Sequence, residues 1–138
     1  MNRKERRQQK HQAKQAARAA AASANPAVQA LIQKAQSHLN EGEADAAQGL
    51  LREATQLEPL NAEPYHMLAL IAYNEGRMDD AGEFILEAIT RDDTDPVLYA
   101  NCGAVMNLLG RPQEAEAACR HVIEMDPSHA EAHNNLAV

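Results

Sequence analysis

An all-α fold, a solenoid of antiparallel helix pairs, is what this sequence predicts, and three observations predict it. The first is a period. Shifting Gly110 back by 34 positions gives Gly76 and then Gly42. The same shift takes Ala115 to Ala81 and Ala47, Gly103 to Ala69 and Ala35, Cys119 to Ile85 and Leu51, and Tyr99 to Tyr65 and Leu31. The second is helical spacing inside each unit. Ala115, Cys119 and Val122 form an i, i+4, i+7 stripe on the second of two amphipathic patterns joined by Gly110-Arg111-Pro112. Small residues, Gly103 and Ala115, stand where those two helices would touch. The third is composition: aromatic residues are 3% of the chain and Trp is absent. That is too little for a deep globular core but suits a thin, Ala-rich core in which each hairpin covers only its neighbours.

In chain order, residues 1–26 form a basic, Ala-rich arm. Residues 1–24 are strong helix formers with no large apolar residue after Met1, so the arm is expected to be flexible or transiently helical, without a stripe to dock. Asn25-Pro26 then reads as a helix start, Asn as N-cap and Pro at the first helical position. The repeat domain spans 27–138, with units 28–61, 62–95, 96–129 and a truncated fourth, 130–138. Its helices are expected near 27–40 and 44–58, 63–75 and 78–91, and 97–109 and 112–125. The start of a further helix in the fourth unit makes seven. Gly42, Gly76 and Gly110 supply the turns, and Thr94-Asp95-Pro96 repeats the capping pattern. Lys34 departs from the apolar pattern of Leu68 and Cys102, which a first unit with no upstream neighbour tolerates. The fourth unit leaves Leu136 and Val138 apolar, with no polar cap after them. The expectation is a piece of a longer protein, or a short last helix acting as the cap. Self-association through that uncapped end is a third reading.

A 34-residue helix–turn–helix period with this small/large pattern resembles the tetratricopeptide repeat. The resemblance covers 28–138 and implies a right-handed α-solenoid whose first helices line a concave groove. The last units, with Ala132-His133-Asn134-Asn135-Leu136-Ala137, are similar to repeats that precede O-linked N-acetylglucosamine transferase-type domains.

The net charge of −7 hides an asymmetry. Residues 1–27 carry seven bases against Glu5, a balance of +6; the remainder carries six bases and nineteen acids, −13. The arm is therefore a candidate for weak polyanion contact, although it lacks the interleaved aromatics that nucleic-acid readout uses. With no Leu, Phe or Trp to bury, it is not expected to insert into a membrane. No apolar run reaches transmembrane length and no apolar h-region follows the basic start, so cytoplasm is the default expectation. The Arg-rich, acid-poor start also fits an organelle transit peptide.

No catalytic constellation stands out. His129 and His133 are four apart, but the glutamate between them is misplaced for a zinc-protease motif, and no third ligand follows at metal-binding spacing. The glycines follow the repeat and form no phosphate loop. Cys102 and Cys119 fall on core positions and read as reduced, buried thiols. No enzyme activity, cofactor or metal is expected.

What is left is the repeat surface. The family's groove positions, carried over, are Gln29, Ile32, Gln33, Gln36, Leu39 and Asn40 in the first unit, Glu63, His66, Met67, Leu70, Tyr73 and Asn74 in the second, Val97, Ala100, Asn101, Ala104, Asn107 and Leu108 in the third, and Glu131, Asn134, Asn135 and Val138 in the fourth. None is Lys or Arg, whereas co-chaperone repeats grip a peptide's terminal carboxylate with such cations. The resemblance to the transferase-type repeats implies that Asn101 and Asn135 bracket a peptide's main chain, since a side-chain amide donates and accepts at once. Gln33 and Met67 stand where that ladder would continue. Leu70, Met67 and Tyr73 would add apolar contact, and Asn101 is expected to face solvent in an empty, uncharged groove. The leading expectation is a non-catalytic scaffold binding a peptide or protein segment. The alternatives are the recognition segment of a larger glycosyl-, sulfo- or methyltransferase, and a self-assembling structural module.

Overall fold

The computed structural model describes residues 2–125, without the side chains of 14–24. Within them the chain forms seven helices and no strand: α1 (Arg3–Ala24), α2 (Pro26–Asn40), α3 (Ala44–Leu57), α4 (Ala62–Asn74), α5 (Met78–Arg91), α6 (Pro96–Leu108) and α7 (Pro112–Met125). Six of the seven helices expected over 27–138 are α2 to α7; the partial fourth unit lies outside the described residues. The additional helix is α1. Its start is readable: Asn2 Oδ1 accepts from the Glu5 amide at 2.8 Å, and the Asn2 amide donates back to Glu5 Oε2 at 3.3 Å, a reciprocal cap.

Helices pair as α2 with α3, α4 with α5 and α6 with α7, and the pairs stack through α3 on α4 and α5 on α6. The architecture is an all-α solenoid of helix pairs. Each pair turns on a glycine with φ of 79°, 79° and 74° at Gly42, Gly76 and Gly110, a left-handed conformation that other residues enter at a cost. The amide after each glycine reaches back across the turn, Glu43 to the His38 carbonyl at 2.7 Å, Arg77 to Ala72 and Arg111 to Met106 at 2.9 Å, closing the helix ends.

The small residues do what their spacing suggests. Ala35, Ala47, Ala81 and Ala115 are buried at the helix crossings, with Leu51, Ile85 and Cys119 one turn on. Neither cysteine is in a disulfide, and both are buried. Lys34 is exposed.

Between pairs the chain reverses in tight acidic turns. Asn61 and Asp95 cap α4 and α6, accepting from Glu63 and Val97 amides at 3.0 and 2.9 Å. Asp92 is 1% exposed and accepts from the Thr94 amide and hydroxyl. Arg91 clamps the preceding turn: its guanidinium donates to the Pro59 carbonyl, the Glu87 carboxylate and the Tyr65 hydroxyl, and lies 4.0 Å over the Tyr65 ring.

Candidate functional site: the groove between α4 and α6

α4 and α6 are the first helices of successive pairs, and both pack against α5. Residues one period plus one apart meet between them. Asn101 Nδ2 lies 2.9 Å from His66 Nε2, a pair 35 residues apart in sequence, and both side chains are half-buried. With the amide so oriented, Nδ2 donates and the imidazole nitrogen accepts.

On one side of this pair is an apolar cavity of about 150 Å3, lined by Leu70 and Tyr73 from α4, Asn101, Ala104 and Val105 from α6, with Ile85 from α5. Leu70 and Tyr73 are 42% and 38% exposed there, large apolar surfaces facing an open concavity. On the other side is a polar cavity of about 230 Å3, lined by Ala62, Glu63, His66, Asp95 and Leu98.

Two expectations are corrected here. Asn101 does not face open solvent; its half-buried side chain on α6 meets His66 of α4. The groove is not free of charge; the turn before α6 folds Asp95 beside Glu63. Sequence reasoning missed Asp95 because it precedes the helix and its cap role accounts for it.

The other groove residues scatter. Gln33, Gln36, Asn40, Asn74 and Asn107 are exposed, and Gln36 donates to Asn40 at 3.2 Å along α2. Met67 turns upstream and packs against the clusters of Val28, Ile32 and Ala54 and of Ala35, Ala47 and Leu51. Asn134 and Asn135 lie outside the described residues, as do the His129/His133 pair and the end near Leu136.

His38, Glu41 and Glu43 place ligand atoms within 4.8 Å of one another at the α2–α3 turn, the one such metal-competent group among the described residues. Hydrogen bonding to Glu41, then to His38, holds the Glu43 carboxyl below its usual range. This is a solvated ion pair at a turn, on different residues from those of the groove. No described helix is long and apolar enough to cross a membrane.

Repeated antiparallel helix pairs with small residues at the crossings define a helical-repeat fold. Tetratricopeptide repeat family models match residues 32–96 and 99–129. The chain belongs to the tetratricopeptide repeat family. No curated protein sequence matches it. Among solved structures it is similar to the first tetratricopeptide domain of Spaghetti (RPAP3) bound to the HSP90 peptide SRMEEVD, at 20% identity and TM-score 0.76 over 81% of this chain and 89% of that one. It is similar to MamA at 21% identity and TM-score 0.74, covering 83% of this chain and 67% of that one. It also resembles part of the Thermobaculum terrenum O-GlcNAc transferase, at 23% identity and TM-score 0.71, over 80% of this chain and 21% of that one. At these identities the likeness establishes the fold.

Proposed function

We propose that this protein is a non-catalytic scaffold that holds a peptide or protein segment along the groove between α4 and α6. The observation that carries the reading is the apolar cavity of about 150 Å3 beside a half-buried amide–imidazole pair. Leu70 and Tyr73 offer apolar surface, and the Asn101 amide keeps an acceptor for a main-chain N–H while its donor engages His66. Support comes also from the similar RPAP3 domain, whose structure contains a bound peptide.

A display selection of random heptapeptides on the immobilised full chain tests this. The selected peptides should bind the wild type and weaken by about 0.5–1.5 kcal/mol in Asn101→Ala, the usual worth of a neutral hydrogen bond. That variant also removes a hydrogen bond to His66, so a modest loss of thermal stability is expected with it. Ala104→Leu separates the two effects: the half-buried alanine borders the cavity, and a leucine would fill it and block binding while the fold persists. If Ala104→Leu spares affinity while Asn101→Ala unfolds the protein, the cavity is not a peptide site and Asn101 is structural.

A further inference from the structure

The groove has two unlike halves, and the hydrogen bond at its centre joins them. Asn101 lines the apolar cavity, and its partner His66 lines the polar one. The polar half holds two carboxylates, Glu63 and Asp95, and no lysine or arginine. The turn beside it adds Asp93, while Asp92 is buried and hydrogen-bonded to Thr94. Arg91, the cation next in sequence, is committed to Glu87, the Pro59 carbonyl and Tyr65.

We propose that the groove selects a segment carrying an apolar side chain next to a cationic one, and disfavours acidic tails. The inference rests on the peptide-binding reading and adds the chemistry of the ligand. Three observations support it. The repeat body carries nineteen acids against six bases, so the field at this rim is negative. A carboxylate entering the polar half would meet Glu63 and Asp95, whereas an ammonium or guanidinium would gain charge-assisted bonds from both. The rim also receives a basic element of the chain itself: His11, on the Lys- and Arg-rich α1, lies 3.9 Å from Asp93.

The spacing follows from helix geometry. Glu63 and Leu70 are seven residues apart on α4, about 10 Å at the rise of an α-helix. An extended peptide covers that in about three residues. The cationic residue should therefore stand two to four positions from the apolar anchor.

The same heptapeptide selection reads this out separately from binding itself. The expected result is enrichment of Lys or Arg two to four positions from a Leu, Ile, Met or aromatic residue, with Asp and Glu depleted. A selected peptide should weaken about fivefold on Glu63→Gln/Asp95→Asn, the scale of partly exposed ion pairs. Its affinity should also fall with added salt in the wild type and much less in the variant. Asn is a good N-cap, so α6 should keep its start in that variant; circular dichroism confirms the fold. Apolar enrichment without charge preference, or with acidic preference, overturns this proposal and leaves the peptide groove standing. No enrichment at all overturns both.

Discussion

Gly103 shows how closely the first and second helices of a pair approach. A β-carbon added there would lie 2.8 Å from Cys119 Sγ and 3.5 Å from the Ala115 carbonyl oxygen. Gly103→Ala should gain about 1 kcal/mol in helix propensity and lose about 1–3 kcal/mol to overpacking. A net destabilisation of about 1 kcal/mol by urea denaturation is expected. Cys119→Ala should relieve the clash, so the double mutant should be more stable than additivity predicts by at least about 0.5 kcal/mol. Strict additivity would place the contact elsewhere. Titration gives a second residue-scale test. Burial pushes the Cys102 thiol up to about 11, and burial, then Asp93, raises the Tyr99 phenol. Both groups titrate higher in the folded chain than in the unfolded one. The thiol's contribution is complete below its unfolded value near 9.0 and is lost as pH rises through about 11; the phenol's is complete below its unfolded value of 10.0 and is lost at higher pH. Denaturation midpoints should fall between pH 9 and 11, and less steeply in Cys102→Ala. A flat profile in the wild type would contradict the burial of these groups.

Helices and their joints were largely legible because their causes are local. The 34-residue period exposed the three turn glycines, and all three take positive φ. Asn25, Asn61 and Asp95 each precede a helix and each caps one. The α1 cap was legible too, as Asn2 with Glu5 three positions on, but an arm without an apolar stripe gave no reason to seek it. The Arg91 clamp was not legible. It joins an α5 side chain to a carbonyl 32 residues earlier and to Tyr65, and no periodic signal marks it. The packing claim is tested at Ala81, which is 0% exposed and sits with Ala72 and Val105 where α5 meets α4 and α6. Ala81→Leu should cost about 1–3 kcal/mol by overpacking. An unchanged denaturation midpoint would mean that Ala81 is not at the crossing.

The molecule as a whole is a stack whose proposed site lies between units, which is why that site was only half legible in the sequence. Groove residues could be named unit by unit, Leu70 and Tyr73 among them. The pairing of Asn101 with His66 depends on how α6 lies against α4, and the acidic rim depends on where the turn places Asp95. A second apolar concavity competes for the role of binding site. It lies between α5 and α7, holds about 350 Å3, and is lined by Leu86, Ile89, Tyr99, Met106, Ala118 and His121. Nuclear magnetic resonance of the labelled full chain, titrated with a selected heptapeptide, distinguishes the two surfaces in one measurement. The account predicts saturable shifts at the Asn101 side-chain amide, the His66 ring, the Leu70 methyls and the Tyr73 ring, with Leu86, Ile89 and His121 unmoved. Shifts centred on Leu86, Ile89 and His121, with Asn101 and Leu70 silent, would contradict it.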